Sequence, residues 1–70
     1  MELWEQMAQS KINSEFVWVE YYGKDGKPTF AITSKLARDV YFVYDLTKTP
    51  PKKLGKARTP VELENKFIFA

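Results

Sequence analysis

Apolar residues recur along this chain with two different periods, and the changes of period divide it into segments. Leu3, Trp4, Met7, Ala8 and Ile12 fall at i, i+4 and neighbouring spacings, which predicts a short helix with one apolar stripe, stopped at Asn13-Ser14. Glu2 and Glu5 lie early in it and Lys11 late, an order that suits the helix dipole. Glu15 to Tyr22 reads as a strand, because Phe16, Val17, Trp18, Val19, Tyr21 and Tyr22 are all β-favouring. Gly23-Lys24-Asp25-Gly26 supplies a turn, and Thr29 to Thr33 returns as a second strand. Pro28 has no amide proton to donate, so it belongs at the start of that strand or on an edge.

Ser34 to Asp39 reads as a connection containing one helical turn begun by Ser34, and Val40 to Leu46 as a third strand. Thr47-Lys48-Thr49-Pro50-Pro51 cannot be regular, since each proline removes a donor and pushes the preceding residue towards an extended conformation. Lys52 to Ala57 gives a short fourth strand, weakened by Gly55. Thr59-Pro60-Val61-Glu62 then starts a helix: Thr59 caps, Pro60 fits the first position, and Glu62 reaches back to complete a capping box. Val61, Leu63, Phe67 and Ile68 supply its docking groups, while Phe67-Ile68-Phe69 fits either a helix or a strand. The pattern predicts one α+β domain over residues 1–70. It has an N-terminal helix, a twisted antiparallel sheet of three or four strands and a C-terminal helix, with a sheet curled into a small barrel as the variant.

Strand alternation sharpens this picture. Phe16, Trp18, Glu20 and Tyr22 should face one way, and Val17, Val19 and Tyr21 the other. The third strand divides into Val40, Phe42, Tyr44 and Leu46 against Tyr41, Val43 and Asp45. A sheet with one solvated face alternates apolar with polar residues, and this one does not. Either two helices cover both faces, or an aromatic face is left for a ligand, or the sheet closes on itself. Core packing is the economical reading. Eleven of the 70 residues are Phe, Tyr or Trp, and a chain near the lower size limit of an independent fold needs most of them inside.

Composition narrows the chemistry more than the fold. The chain has no histidine and no cysteine, which removes the usual general base, the thiolate nucleophile, the disulfide and the ordinary zinc site. Among the carboxylates, local spacing brings no pair together as acid and base, and Gly23 and Gly26 are explained by a turn rather than a phosphate loop. The expectation is a non-enzymatic protein with no cofactor and no metal. No segment approaches the length of a membrane span, and the acidic start Met1-Glu2-Leu3-Trp4-Glu5 is unlike a signal peptide, so the default location is cytoplasmic.

Charge supplies the functional candidate. The net charge of +2 hides a split: residues 1–34 carry −2 and residues 35–70 carry +4. Lys48, Lys52, Lys53, Lys56 and Arg58 place five cations in eleven residues with no acid between them. Such a run attracts phosphate, and with Tyr41 and Tyr44 nearby for stacking it predicts nucleic-acid or other anionic-partner binding. The bland account is a solvated hairpin whose lysines protect an edge strand. The alternative function is a protein-interaction module or small inhibitor that docks by a sheet edge or an aromatic patch, with a homodimer as one form of it.

Overall fold

The chain folds as helix, four-stranded antiparallel meander, helix. A computed structural model describes residues 3–24, 27–36 and 39–69. Helix α1 spans Leu3–Glu15, followed by β1 (Trp18–Lys24), β2 (Lys27–Ser34), β3 (Tyr41–Asp45), β4 (Lys52–Ala57) and α2 (Pro60–Leu63), which continues into a π-helical turn over Glu64–Ile68. The strand order is β1-β2-β3-β4 and the sheet is open, so the barrel variant does not form.

Helix α1 runs past the predicted stop at Asn13-Ser14, and the amide of Phe16 still donates to the Ile12 carbonyl at 3.2 Å. Two expectations fail for that reason. Lys11 is no longer in the last turn, where Glu15 sits instead, against the dipole. Phe16 belongs to the helix end rather than the strand, so it joins Ala8 and Ile12 instead of facing the same way as Trp18. Of the predicted apolar stripe, Ala8 and Ile12 are buried, Leu3 and Met7 are exposed, and the Trp4 side chain lies outside the described set.

The first hairpin pairs Trp18 with Ser34 through to Lys24 with Lys27, leaving Asp25 and Gly26 of the predicted turn outside the described residues. A bulge at Tyr22/Gly23 sets Gly23 opposite Pro28, where a Cβ would lie 1.8 Å from the Lys27 carbonyl oxygen. Only glycine fits there. Ser34 ends β2 as a buried residue, its Oγ donating to the Lys35 carbonyl at 3.0 Å, rather than starting a helical turn. Ala37 and Arg38 of that connection lie outside the described residues.

Each face of the sheet carries its own core. On the α1 face Ala8, Ile12, Phe16, Ala31 and Leu46 cluster with Val19, Tyr21, Phe42 and Tyr44 against them. On the α2 face Ile32, Val43 and Leu63 are fully buried, packed by Trp18, Tyr22, Phe30, Tyr41, Leu54, Ala57, Phe67 and Ile68. The third-strand alternation read from the sequence is therefore the one the structure adopts. Helix α2 begins where predicted: Thr59 is extended (φ −134°, ψ 146°), its Oγ1 accepts from the Glu62 amide at 3.4 Å, and Pro60 takes the first turn, but no bond from the Thr59 amide to the Glu62 carboxylate completes the expected capping box. The Glu62 carboxylate lies 3.5 Å from Lys66 Nζ, an exposed i,i+4 pair. Phe67 and Ile68 resolve as helical, wound wide so that the amide of Phe69, the capping residue, donates to the Glu64 carbonyl at 2.7 Å. The wider turn brings Leu63, Phe67 and Ile68 to the sheet together and leaves Phe69 68% exposed.

Candidate nucleic-acid interface

The basic run does not form one patch. Lys48 lies in the connection before β4, where Thr49-Pro50 is a cis peptide, and it lines a cleft against α1. Lys52 pairs in register with Asp45. Burial raises the Asp45 pKa, but bonds from the Thr47 amide at 2.9 Å and Thr47 Oγ1 at 2.5 Å outweigh it, with the charges of Lys48 and Lys52, and hold the carboxyl below its ordinary value.

Beyond Lys52 a bulge decides the geometry. Val43 pairs with Gly55 and Tyr44 with Lys53, so Leu54 is an extra residue in β4. Lys53 opposite Tyr44 and Lys56 opposite Phe42 consequently share the α1 face, while Leu54, Gly55 and Ala57 turn to the α2 core or its glycine gap. Without the extra residue, alternation would send Lys53 and Lys56 to opposite faces.

The result is a hollow of about 230 Å³ lined by Glu15, Phe16, Lys35, Phe42, Tyr44 and Lys53. Phe16 forms its floor, 5.8 Å from Phe42 in a tilted contact and 5.7 Å from Tyr44 edge-on. Lys53 Nζ stands 4.4 Å from the Phe42 ring centroid, well within cation–π range, and Lys35 Nζ 6.0 Å from that of Phe16. Burial, then the charge of Glu15, pushes the Tyr44 phenol above its ordinary pKa, so it stays a neutral hydrogen-bonding group at pH 7. Further along β4, Val40, Lys56, Ala57, Arg58 and Glu62 line a second depression of about 480 Å³.

Of the residues singled out from sequence, the fold brings Tyr44 and Lys53 into one hollow, with Lys56 on the same face and Arg58 beyond it. It separates Lys48 and Lys52 from them. Tyr41 is on the α2 face, its ring 5.7 Å from Trp18 at 88° and packed into the core, so it is not grouped with Tyr44. Phe42, Phe16 and Lys35 were missed. Phe42 was legible, since it shares its alternation with Tyr44; Lys35 had no local signal and arrives through the Ser34–Tyr41 pairing of β2 with β3.

Among the described residues no group of three metal-binding side chains occurs, and no helix is long and apolar enough to cross a membrane. Comparison with protein-family models, with curated proteins and with solved structures returns no match, leaving geometry and charge as the basis for a functional reading.

Proposed function

We propose that this chain is a small non-catalytic, cytoplasmic binding protein that takes single-stranded nucleic acid across the β3–β4 half of its α1 face. The observation that carries the reading is the Phe42–Lys53 contact at 4.4 Å, with half-buried Tyr44 beside it and Lys35 across the hollow. Rings that show one flank to solvent are stacking platforms for unpaired bases, and ammonium groups at their margin meet the phosphates between those bases. Lys56 continues the cationic margin along β4, and beyond the strand Arg58 joins it at a depression that Glu62 of α2 also lines. A base that stacks on Phe42 displaces Lys53 from the ring towards the adjoining phosphate, exchanging one favourable contact for two. Duplex suits the site less well, because its bases are already stacked and the hollow is a pit rather than a groove-filling ridge.

Amide-resolved NMR titration with mixed-sequence single- and double-stranded oligonucleotides tests this. Shifts should cluster on Lys35, Phe42, Tyr44, Lys53 and Lys56, prefer the single strand and weaken steeply with salt. Absence of shifts at low salt retires the proposal and leaves the protein-interaction reading in its place.

A further inference from the structure

A separate cleft of about 580 Å³ lies between α1 and the connection before β4, within the ~300–1,000 Å³ typical of ligand sites. Leu3 and Met7, one helical turn apart, line the helix wall; they are 72% and 56% exposed although both are large and apolar. Pro50 and Pro51 line the opposite wall. Each wall also carries one cation, Lys11 on the helix and Lys48 on the connection, and no carboxylate lines the cleft among the described residues.

We infer that this cleft docks an acidic amphipathic segment of a partner protein. Its aliphatic side chains enter between Leu3, Met7 and the two prolines, and its carboxylates meet Lys11 and Lys48. The inference is independent of the nucleic-acid reading, since it uses none of the residues of the β3–β4 hollow. Charge selects the occupant. A second copy docking symmetrically by this cleft would bring two more lysines and no described carboxylate into the same interface, a like-charge arrangement that disfavours self-association. Among the described residues a nucleic-acid strand would meet two cations and no aromatic ring to stack on. A helix with apolar anchors at i and i+4 matches the one-turn spacing of Leu3 and Met7, and methionine adapts to anchors of different shape.

The test is an NMR titration of the full chain with an amidated peptide bearing leucines on one helical face and glutamates on the other, with the lysine counterpart as control. Saturable shifts on Leu3, Met7, Lys11, Lys48 and Thr49 are expected with the glutamate peptide only. Met7→Asp, and separately Lys11→Glu with Lys48→Glu, should weaken binding about tenfold or more. These positions are solvent-facing, so unchanged spectra elsewhere will show the fold intact in each variant. Equal binding of the lysine peptide, or no saturable shift in the cleft, overturns the inference. So does a shift of cleft resonances on dilution without peptide, which would make a second copy the occupant.

Discussion

The two faces of the sheet have similar apolar content but are finished differently. On the α2 face Leu63 is fully buried with Ile32 and Val43, and Phe67 sits so close to Gly55 that a Cβ there would lie 3.0 Å from its ring. On the α1 face the helix covers Ala31 and Leu46 but leaves its own Leu3 and Met7 outside, with a cleft on one flank and the aromatic hollow near its C-terminal end. One face is closed by a short, wide-wound turn fitted to it; the other is roofed by a longer helix that reaches only part of it. A small chain can thus hold its fold mainly through one face and keep contact surface on the other. Both proposed sites lie on the looser side.

Truncation of the core is the most severe way to break this contrast. Leu63→Ala should cost about 3–5 kcal/mol, because its surroundings are close-packed and cannot collapse into the void. Ile12→Ala, almost as buried on the sheet-facing side of α1, should cost nearer ~2–3 kcal/mol, since a helix flanked by open space can settle onto the sheet. Urea titration measures both. Equal losses would mean that the two faces are packed alike and that the looser side is an illusion of exposed side chains.

Gly55→Ala probes the closed face from the other direction. Its added methyl must displace the Phe67 ring, and a loss of about 1–3 kcal/mol is expected. Pairing it with Phe67→Leu should recover part of that loss by freeing the space. A neutral Gly55→Ala would show that the π-helical turn gives way easily, and the contrast between faces would narrow.

Much of this architecture was legible in the sequence, and the failures have a common physical origin. The alternation of Tyr41, Val43 and Asp45 against Phe42, Tyr44 and Leu46 needs only strand geometry, and it assigned both faces of β3. The Thr59-Pro60 start is a local steric and hydrogen-bonding pattern, so it too could be read directly. Phe16 could not, because whether a helix ends at Ser14 or Glu15 depends on the tertiary contacts of the next side chain. The β4 bulge could not either. One extra residue at Leu54 determines that Lys53 and Lys56 share a face, and nothing local in Lys52-Lys53-Leu54-Gly55-Lys56 announces it. A charge run shows that cations are near one another along the chain; register decides which of them meet in space.

Alkaline pH sharpens the contrast by a smaller amount. The Tyr22 hydroxyl donates to Glu64 Oε1 at 2.7 Å, tying β1 to the turn that closes the α2 face. Burial, then hydrogen bonding to Glu64 and Glu20 and their charges, raises its pKa well above the ordinary 10.0. The neutral phenol is therefore favoured by folding. Its contribution is whole below pH 10.0 and is lost as pH rises through the higher folded value. Tyr22→Phe should cost about 1 kcal/mol at pH 7 and progressively less above pH 10, as the wild-type protein loses what the variant never had. Chemical denaturation at pH 7, 9 and 11 reads this directly. A difference that stayed constant with pH would place no ionisable hydrogen bond at that junction.

The smallest change in stability should accompany the largest change in binding. Lys53→Glu with Lys56→Glu alters two exposed side chains on an edge strand, and a loss of about 0.5–1 kcal/mol, that of the Lys53–Phe42 contact, is expected. What it removes is the cation beside Phe42 and the next one along β4, replacing both with charges that repel phosphate. Oligonucleotide affinity should fall by orders of magnitude at low salt, and the salt slope should flatten as phosphate contacts disappear. Phe42→Leu provides the complementary cut: it keeps the cations and the apolar volume but removes the stacking surface, so affinity should drop while the salt slope stays the same. The two variants separate electrostatic from stacking contributions, which a single alanine scan would mix. If the double glutamate variant binds as the wild type does, these lysines guard a sheet edge and nothing more, and the aromatic hollow loses its claim as a nucleic-acid site.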